Sequence, residues 1–482
     1  MSFTSQPVPS VATDKPPHVL ISGAGLAGLF LGILLEKAGI PYDIYERATE
    51  IKPLGTRNMY RIQDQYKSSP NILAAFEQLG LYEELLSFSK RSIRNAFYTA
   101  ELEVIGRIES SPAETKTVGY DRILFARPEL YNLLAKKTPS NKLHMAKKIV
   151  AFEQDQDSVT VTLGDGTTAR GDILVGADGA HSAVRKHLYK ILNKQDLLPE
   201  SDTKEMTKGY ISLVGTTDAL DTAKHPGVLR EDSDVWGVIG DKDTPYTWFA
   251  FAVPGNKLAW NVVVQLGITP IADEQFKASD WDTQQNQVMM DSIRHFKTPY
   301  GTLGDLFDAT PVDCVSKVFF EDKLFETWNH GRVVVIGDAA HKLLPSLGAG
   351  AVNAMQDSVL LANHIYDIKP TNHENIKTAL SEYKQERFNF IKDQYPVSHM
   401  SAKLLFGHTL WERILRYIVF NWLPNSMRAK QLVKDSAYRP QANFLPPAPK
   451  RGTMDIIPQQ PSKRIQRKQE EAKKSATTAA TL

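Results

Sequence analysis

The chain has 482 residues, of which 42% are hydrophobic and 23% are charged, a composition that is typical of globular proteins and excludes a disordered or fibrous chain. The formal net charge of +2 gives no support to a nucleic-acid-binding protein. Because single hydrophobic cores stop growing well below this length, we expect two or more subdomains.

The amino terminus, residues 1–16, lacks a basic segment that leads into an apolar core. The sequence therefore predicts no secretory signal, and we expect this segment to be disordered. Cys314 is the only cysteine of the chain, which excludes an internal disulfide and fits a reducing compartment. These features indicate a cytoplasmic protein.

The first predicted elements are a strand, a helix and a second strand within HVLISGAGLAGLFLGILLEKAGIPYDIYER, which begins at His18. Gly23 permits a tight turn, Gly25 lets the backbone approach a pyrophosphate, and Gly28 allows the helix to pack closely on the strand. Glu46 follows Gly23 by 23 positions, where a carboxylate can accept both hydroxyls of an adenosine ribose. The segment predicts a dinucleotide site rather than a membrane span, and it does not choose between NAD and FAD.

A second motif, GDILVGADGAHSAVRKHL, covers residues 171–188. It predicts a strand whose carboxyl end delivers Asp178 and Gly179 to the crevice where open α/β sheets bind ligands. Ser182 is suited to begin the helix that contains Arg185. The alternative is an ordinary strand, turn and helix with a solvated arginine, and this motif alone does not separate the two.

The next segment is rich in short β-type pieces. GYISLVGTTD, TWFAFAVPG and KLAWNVVVQLG are separated by Gly, Pro and Asp, which predicts an antiparallel sheet. Trp248, Phe249 and Trp260 either line an apolar cavity on this sheet or belong to its plain core. None of them is assigned as a substrate ligand.

The third motif, GRVVVIGDAAHKLLPSLGAG, covers residues 331–350. It predicts a buried strand that ends at Asp338, whose carboxylate can bind a polyol such as the ribityl chain of a flavin. The following helix begins at residues without bulky side chains, 348–351, so a flat ring can lie against its backbone. The helix amino terminus carries about half a positive elementary charge, which favours negative charge on a ring that is being reduced.

The third motif repeats the order of strand, carboxylate and helix start far along the chain from the first motif. This repetition indicates a ligand that is bound at both of its ends. FAD has two such ends, whereas NAD forms no comparable ring anion. His341 lies beside the turn, where a structural or solvated histidine is more common than a proton donor, and no role is assigned to it.

The region beyond residue 395 predicts a helix with one apolar stripe. The stripe consists of Leu410, Trp411, Ile414, Leu415 and Ile418. Arg413 and Arg416 lie off the stripe and argue against a membrane span. Such a helix either makes peripheral membrane contact, here through residues 400–424, or packs on the body of the protein.

The tail from Lys450 is rich in Pro, Gln, Lys, Ser and Thr, and we expect it to be disordered. Residues 450–474 contain eight basic and three acidic residues. The chain shows no spacing typical of metal ligands and no GxSxG motif, so the sequence predicts neither a metal site nor a serine hydrolase.

Together the three motifs resemble those of the class A flavoprotein monooxygenases, the family of para-hydroxybenzoate hydroxylase, over residues 17–395. GAGLAG is similar to the adenosine-diphosphate motif of that family, GADGAHSAVR to the DG motif and GDAAHKLLPSLGAG to the GD motif. RILFARPELYNLL places Arg127 where the family has an arginine that helps to hold the cofactor. The sequence is also similar to fungal monooxygenases of secondary metabolism, including epoxidases of meroterpenoid and indole-diterpene pathways.

The chain departs from the family pattern at two places. KPLGTRNMYRIQDQ, which contains Arg57 and Arg61, replaces a loop with small residues and a proline-asparagine pair. Ala349 stands between two glycines where the family often has glutamine.

The resemblance implies an α/β fold, with a Rossmann-like FAD-binding domain, an inserted antiparallel-sheet substrate domain and a C-terminal helical extension. The expected segments are a disordered amino terminus (1–16), the first part of the FAD-binding domain (17–200) with substrate-side strands at about 90–120, the substrate domain (201–312), the second part of the FAD-binding domain (313–395), a helical region (396–449) and a disordered basic tail (450–482).

The motifs and the resemblance together supply the predicted site residues. Those expected to bind the cofactor are Gly23, Gly25, Leu26, Ala27, Gly28, Glu46, Arg47, Arg127, Asp178, Gly179, Asp338, Gly348, Ala349, Gly350 and Ala351. Candidates for the edge of the flavin ring are Pro345, Gly348 and Gly350. No other residue is assigned a catalytic role.

The resemblance implies non-covalent FAD, with NADH or NADPH as a transient electron donor and O2 as co-substrate. A flavin C4a-hydroperoxide would hydroxylate or epoxidise a hydrophobic small molecule, aromatic or prenylated. The alternatives are a flavin-dependent halogenase or reductase on the same fold, or a non-catalytic binding protein that keeps the FAD fold. No nucleic acid and no obligate protein partner is expected.

Overall fold

The computed structural model describes residues 14–49, 69–109, 112–241, 244–266, 283–407 and 409–481. Most of the amino-terminal segment that we expect to be disordered, and the KPLGTRNMYRIQDQ loop with Arg57 and Arg61, lie outside the described residues.

The strands are numbered in chain order. They are β1 Val19–Ser22, β2 Tyr42–Tyr45, β3 Lys90–Tyr98, β4 Val104–Glu109, β5 Ile123–Leu124, β6 Leu143–His144, β7 Ile149–Gln154, β8 Val159–Leu163, β9 Thr168–Gly171, β10 Ile173–Gly176, β11 Thr207–Thr216, β12 Asp232–Ile239, β13 Tyr246–Val253, β14 Lys257–Gln265, β15 Lys297–Thr298, β16 Gly301–Thr302, β17 Ser316–Leu324, β18 Asn329–His330, β19 Val333–Val335 and β20 His341–Lys342.

The α-helices are numbered in the same way. They are α1 Leu26–Ala38, α2 Ser69–Gln78, α3 Tyr82–Ser87, α4 Pro112–Val118, α5 Arg127–Lys137, α6 Ala183–Lys194, α7 Glu200–Thr203, α8 Thr283–Ile293, α9 Leu303–Asp308, α10 Gly350–Tyr366, α11 His373–Phe406, α12 Leu410–Asn421, α13 Asn425–Ser436 and α14 Lys463–Thr481. Short 3₁₀ turns occupy Ser140–Lys142, Pro226–Leu229, Val312–Cys314, Gly337–Ala339 and Pro345–Leu347.

A six-stranded sheet in the order β18-β19-β10-β1-β2-β6 forms the first core. All of its strand pairs are parallel except β18 with β19. The side chains of β1, β10 and β19 are buried along their whole length, because helices cover both faces of such a sheet and favour continuous apolar strands. The carboxyl ends of the parallel strands therefore share one edge, where the three sequence motifs lie.

Helix α1 packs closely on this sheet and against α10. Gly32 faces the sheet, and a Cβ atom at this position would come within 2.9 Å of Ile44 Cδ1. The hydroxyl of Ser358 in α10 donates a hydrogen bond to the carbonyl of Ala27 (2.8 Å). Gly39 ends α1 in the left-handed conformation (φ 68°), as glycine commonly does at a helix terminus.

A nine-stranded sheet, in the order β20-β17-β11-β14-β13-β12-β3-β4 with β5 paired to β3, forms the second layer. Its pairs are antiparallel except β12 with β3. The predicted antiparallel sheet is thus present, and it includes strands from residues 90–109, within the range where substrate-side strands are expected. Its strands β17 and β20, by contrast, come from residues 313–395, which the sequence assigns to the FAD-binding domain. The pairing of β17 with β20 joins the substrate-side sheet directly to the third motif.

The three aromatic residues of this sheet belong to its core. Trp248, Phe249 and Trp260 are at most 1% exposed. The indole N–H of Trp248 donates to the carbonyl of Lys297 (3.0 Å) and that of Trp260 donates to the Thr310 hydroxyl (2.9 Å). Of the two interpretations of these residues, the structure supports the plain core.

The expected disordered tail differs from what the structure shows. Arg451 pairs with Glu77 (2.7 Å), the backbone N–H of Thr453 donates to Thr117 (3.0 Å), and Met454 is buried. The backbone N–H of Lys463 at the start of α14 donates to Asp367 (2.9 Å). A polar composition shows only that the segment has no core of its own, whereas here the body of the protein supplies the partners.

Among the helices that the structure describes, none has the length and hydropathy that a membrane span requires.

Candidate functional site

The first two motifs touch each other at the shared edge of the parallel sheet. Gly23 has φ of +101°, and a Cβ atom there would lie 2.6 Å from the carbonyl oxygen of Ala177. A Cβ atom on Gly28 would lie 2.0 Å from the carbonyl oxygen of Gly23. These two glycines are therefore required by backbone conformation and packing. Leu26 and Ala27, in the first turn of α1, are both buried.

Two other predicted glycines have no such packing reason. A Cβ atom on Gly25 would meet only the Ala177 carbonyl, at 3.9 Å, and one on Gly350 would meet nothing within 4 Å among the described residues. Gly25 precedes α1 and Gly350 is the first residue of α10. Two helix starts thus leave their backbone open, as close approach by a ligand requires.

Glu46 lies just after β2 and faces the glycine turn. Its Oε2 accepts the backbone N–H of Ala24 (2.8 Å) and its Oε1 accepts that of Ala48 (2.9 Å). Each carboxylate oxygen keeps a second acceptor position for a hydroxyl donor. Arg47 is exposed, and the half-buried Arg127 begins α5, which packs on α1.

The two carboxylate oxygens of Asp178, in the second motif, differ in their hydrogen bonding. Its Oδ2 accepts the backbone N–H groups of Ala183 (2.7 Å) and Val184 (3.3 Å). Its Oδ1 is buried and has no hydrogen-bond donor within the described part of the chain. Burial raises the pKa of the Asp178 carboxyl. A buried acceptor of this kind calls for a partner, and a bound ligand can supply it.

Gly179 takes a positive φ of 81° next to Asp178. Ser182 caps α6 as predicted, because its hydroxyl accepts the backbone N–H of Arg185 (2.9 Å). Arg185 is 4% exposed, donates to the carbonyls of Ala339 (2.8 Å) and Ala180 (2.6 Å), and lies over the ring of Phe325. The alternative of a solvated arginine is wrong, since this side chain ties the second motif to the third.

Asp338 occupies the turn that follows β19 and forms an ion pair with Lys342 (2.6 Å). A Cβ atom on its neighbour Gly337 would lie 3.1 Å from Ala354 Cβ and 3.5 Å from Ala27 Cβ. The third motif therefore lies between α10 and the glycine-rich start of α1. All three motifs meet at one site.

The turn after Asp338 leads to the predicted flavin edge. Pro345 is buried and starts a 3₁₀ turn, which the Ser346 hydroxyl fixes by donating to the carbonyl of Ser398 (2.6 Å). Gly348 ends the turn with φ of +63°, and Ala349 precedes α10 as its N-cap. Ala351 is half-buried.

A buried ionic cluster that sequence reasoning missed supports the third motif. Asp357 Oδ2 accepts the backbone N–H of Gly337 (2.8 Å) and lies 2.6 Å from His341 Nε2, while Oδ1 accepts from Arg387 Nε (2.6 Å). Arg387 also donates to the Asn353 side chain (2.8 Å). The exposure is 0% for Asp357 and Arg387 and 3% for His341.

The electrostatics of this cluster favour the charged pair. Burial alone raises the pKa of Asp357, but the attraction of His341 and Arg387 outweighs it and holds that pKa below its ordinary value. His341 therefore has a structural environment, within a motif that sequence analysis did identify. Arg387 lies 30 positions beyond Asp357, and no local sequence pattern predicts their contact.

The geometry suits an elongated ligand. The sheet order β19-β10-β1-β2 places Asp338 and Glu46 after strands that are three places apart, roughly 14 Å at the usual strand spacing. Open helix starts and a free buried carboxylate oxygen lie along this edge. Within the described ranges, no group of His, Cys, Asp and Glu side chains is arranged to hold a metal ion.

Comparison with known proteins agrees with this geometry. The family described as FAD binding domain matches residues 17–209 and 277–395. The FAD-dependent monooxygenase olcE of Penicillium canescens is 28% identical over 429 residues, which cover 84% of this chain and 85% of that protein. The FAD-dependent monooxygenase esdpE of Penicillium shearii is 27% identical over 452 residues, 89% and 86% of the two chains.

A solved structure shows the same fold. HpxO of Klebsiella pneumoniae, complexed with FAD and uric acid, superposes with a TM-score of 0.68 at 21% identity, covering 88% of this chain and 97% of the other.

Proposed function

The chain belongs to the class A FAD-dependent monooxygenases, and from this premise we propose that it uses NAD(P)H and O2 to add one oxygen atom to a hydrophobic small molecule. The observation that carries the proposal is the convergence of three motifs on one open edge, with a carboxylate at each end of it. FAD supplies the redox chemistry when bound, since it takes a hydride equivalent from NAD(P)H and activates O2.

We assign the two ends of the cofactor to the two ends of this edge. Glu46 accepts the ribose hydroxyls of the adenosine, and the open backbone at Gly25 receives the pyrophosphate. Asp338 accepts from the ribityl chain. The start of α10 at Gly350 would receive the flavin ring, and the partial positive charge of this helix start would favour negative charge on the ring.

The buried Oδ1 of Asp178 has no donor among the described residues and belongs to a residue that follows β10 at the same sheet edge, so a donor group of the cofactor would satisfy it. Because burial raises the pKa of this carboxyl, a donor from the ligand compensates an acceptor that is otherwise costly to bury. Arg185 keeps this strand end in contact with the turn that carries Asp338.

The surroundings of the proposed ring site support a hydrophobic substrate, aromatic or prenylated. Leu344, directly before Pro345, packs in one buried cluster with Phe320 of β17 and Phe406 of α11. The substrate-side sheet reaches this point through the pairing of β17 with β20. Apolar surroundings of this kind would exclude water, and the protein would hold the substrate beside the ring edge.

The proposal is tested with the purified full-length protein. We expect it to carry FAD with flavin absorbance, and to oxidise NADH or NADPH faster when an aromatic or prenylated substrate is added. The product should have gained one oxygen atom by mass. Turnover that requires halide and yields a halogenated product would identify a halogenase instead, and NAD(P)H oxidation without oxygen transfer would identify a reductase.

Asp338→Ala should weaken FAD binding about tenfold, because it removes a charged acceptor of the ribityl chain. Asp338 is half-buried and the change also removes the partner of Lys342, so circular dichroism and thermal unfolding without FAD are needed to show that the fold is intact. Asp338→Asn retains an acceptor and should recover part of the affinity. Titration of the apoprotein with FAD, followed by flavin fluorescence, measures the effect. Full affinity in Asp338→Ala would remove Asp338 from the site.

Glu46→Ala should also weaken FAD binding about tenfold through loss of the ribose contact. The same change at Glu101, an exposed residue between β3 and β4, serves as the matched control and should have no effect. Binding of FMN, which lacks the adenosine end, should be equally weak in Glu46→Ala and in the unaltered protein. A comparable loss of FMN affinity would show that the substitution disturbs the whole site.

A further inference from the structure

Helix α12 turns its apolar face to the solvent. The outer face of α12 comprises Leu410, Trp411, Ile414, Leu415, Ile418 and the adjoining Trp422. Trp411 is 78% exposed, Trp422 72% and Leu410 67%. No segment in the described part of the chain covers this face. Contiguous exposed apolar surface on a folded protein commonly marks an interaction site.

The opposite, inner face of α12 holds the helix in this orientation. Arg416 is 4% exposed and donates from Nε to the carbonyl of Leu404 (2.7 Å) at the end of α11. Phe420 stacks on Phe97 of β3, with ring centroids 4.4 Å apart. The Asn421 amide donates to the carbonyl of Ile105 in β4 (2.8 Å). These contacts fix the orientation of α12, so its outward apolar face is a defined part of the fold rather than a frayed helix end.

The beginning of α12 is equally well defined. Thr409 and Glu412 form a capping box, in which each side chain accepts the backbone N–H of the other residue. The capping box favours a helix start at Thr409 without any contact to the outer face.

The charges of α12 and of the segments that adjoin it in the chain indicate the kind of partner. Between residues 403 and 435 the chain has six basic residues and two acidic residues, Glu412 and Asp435, and one of the basic residues, Arg416, is buried. Lys403, Arg413, Lys430 and Lys434 are exposed. A second copy of the chain would bring the same positive charge against itself, which is unfavourable. An anionic lipid surface accepts both the cations and the apolar side chains, and tryptophan favours the membrane interface.

We propose that the outer face of α12 docks the protein on an anionic bilayer surface, with Trp411 and Trp422 at the level of the lipid headgroups. The helix rests on β3 and β4 of the substrate-side sheet, so docking brings that sheet close to a reservoir of lipophilic compounds. The proposal concerns a surface separate from the cofactor edge and does not depend on the reaction.

The test is co-sedimentation of the full-length protein with vesicles of phosphatidylcholine alone and of equal parts phosphatidylcholine and phosphatidylserine. We expect binding to the mixed vesicles, weakened by added salt because the cations contribute. The double variant Trp411→Asp/Ile414→Asp should bind at least tenfold more weakly, since it removes apolar burial and adds repulsion. Matched controls are Leu229→Asp and Val312→Asp, exposed to 60% and 68% at other sites, and they should bind normally.

Retained FAD absorbance and circular dichroism establish that the double variant is folded. If it is not, Trp422→Ala replaces it, because that residue follows the helix and should still weaken binding. Absence of binding to both vesicles, or equal binding by the variant, overturns the proposal. A lipid-free dimer that disappears in the double variant also overturns it, because the occupant is then a second copy of the chain.

Discussion

Replacing Asp357 with asparagine will lower the free energy of unfolding by about 3–5 kcal/mol, the usual cost of leaving a buried charge without its partner. Arg387 is completely buried, and Asp357 is its charged partner at 2.6 Å. Asparagine fills nearly the same volume but provides no negative charge. Asparagine keeps only one side-chain oxygen, so either Arg387 or the backbone N–H of Gly337 and the His341 ring also loses its hydrogen-bond acceptor.

Urea unfolding at saturating FAD measures this effect, with Asp313→Asn on the exposed surface as a control expected to change stability by less than about 0.5 kcal/mol. A double-mutant cycle with Arg387→Met sharpens the test. Because the double variant Asp357→Asn/Arg387→Met has no unpaired charge, its loss of stability should be smaller than the sum of the single losses. Simple additivity would contradict an ionic coupling.

The ion pair of Asp357 and Arg387 also predicts that the free energy of unfolding depends on pH. Since the pKa of Asp357 is held below its ordinary value in the folded protein, its stabilisation is present above the unfolded pKa of about 4 and is lost as the pH falls through the lower, folded pKa. The stability difference between the unaltered protein and Asp357→Asn should therefore narrow below about pH 4. A difference that stayed constant down to acid pH would show that the charge of Asp357 is not the cause.

Gly350→Val will weaken FAD binding about 10- to 100-fold while leaving the fold intact. A Cβ atom at this position meets nothing within 4 Å among the described residues, so the apoprotein has room for the side chain. If the flavin ring lies against this helix start, the same side chain overlaps the ligand, and overpacking of this kind typically costs about 1–3 kcal/mol.

The measurement is FAD titration of the apoprotein beside thermal unfolding without FAD. Gly164→Val is the matched control, because Gly164 is exposed in the turn after β8 and its Cβ would make only ordinary contacts, beginning at 3.7 Å. It should bind FAD normally. Unchanged FAD affinity in Gly350→Val would move the ring away from α10, and a large loss of apoprotein stability would mean that Gly350 serves packing.

The resemblance of the three motifs to those of a known family indicated the family, the FAD cofactor and the α/β architecture. This worked because glycine turns, β-branched strands and helix caps depend on neighbours in the chain, as Gly23, Gly28 and Ser182 show. The same logic failed for the tail beyond Lys450. The tail is too polar to form a hydrophobic core of its own, but Glu77 and Asp367 lie in the body of the protein and pair with it.

The sequence by itself determined which backbone turns reach the carboxyl edge of the parallel sheet, since their glycines and strand ends are local properties. Only the tertiary structure decided that Arg387 pairs with Asp357, that Arg185 is buried between two motifs, and that α12 turns its apolar stripe outward. These outcomes depend on which segments, far apart in the chain, come into contact in the folded protein. They also depend on which charged side chains are desolvated by that contact. The hydrophobic periodicity of a single helix predicts neither these contacts nor this desolvation.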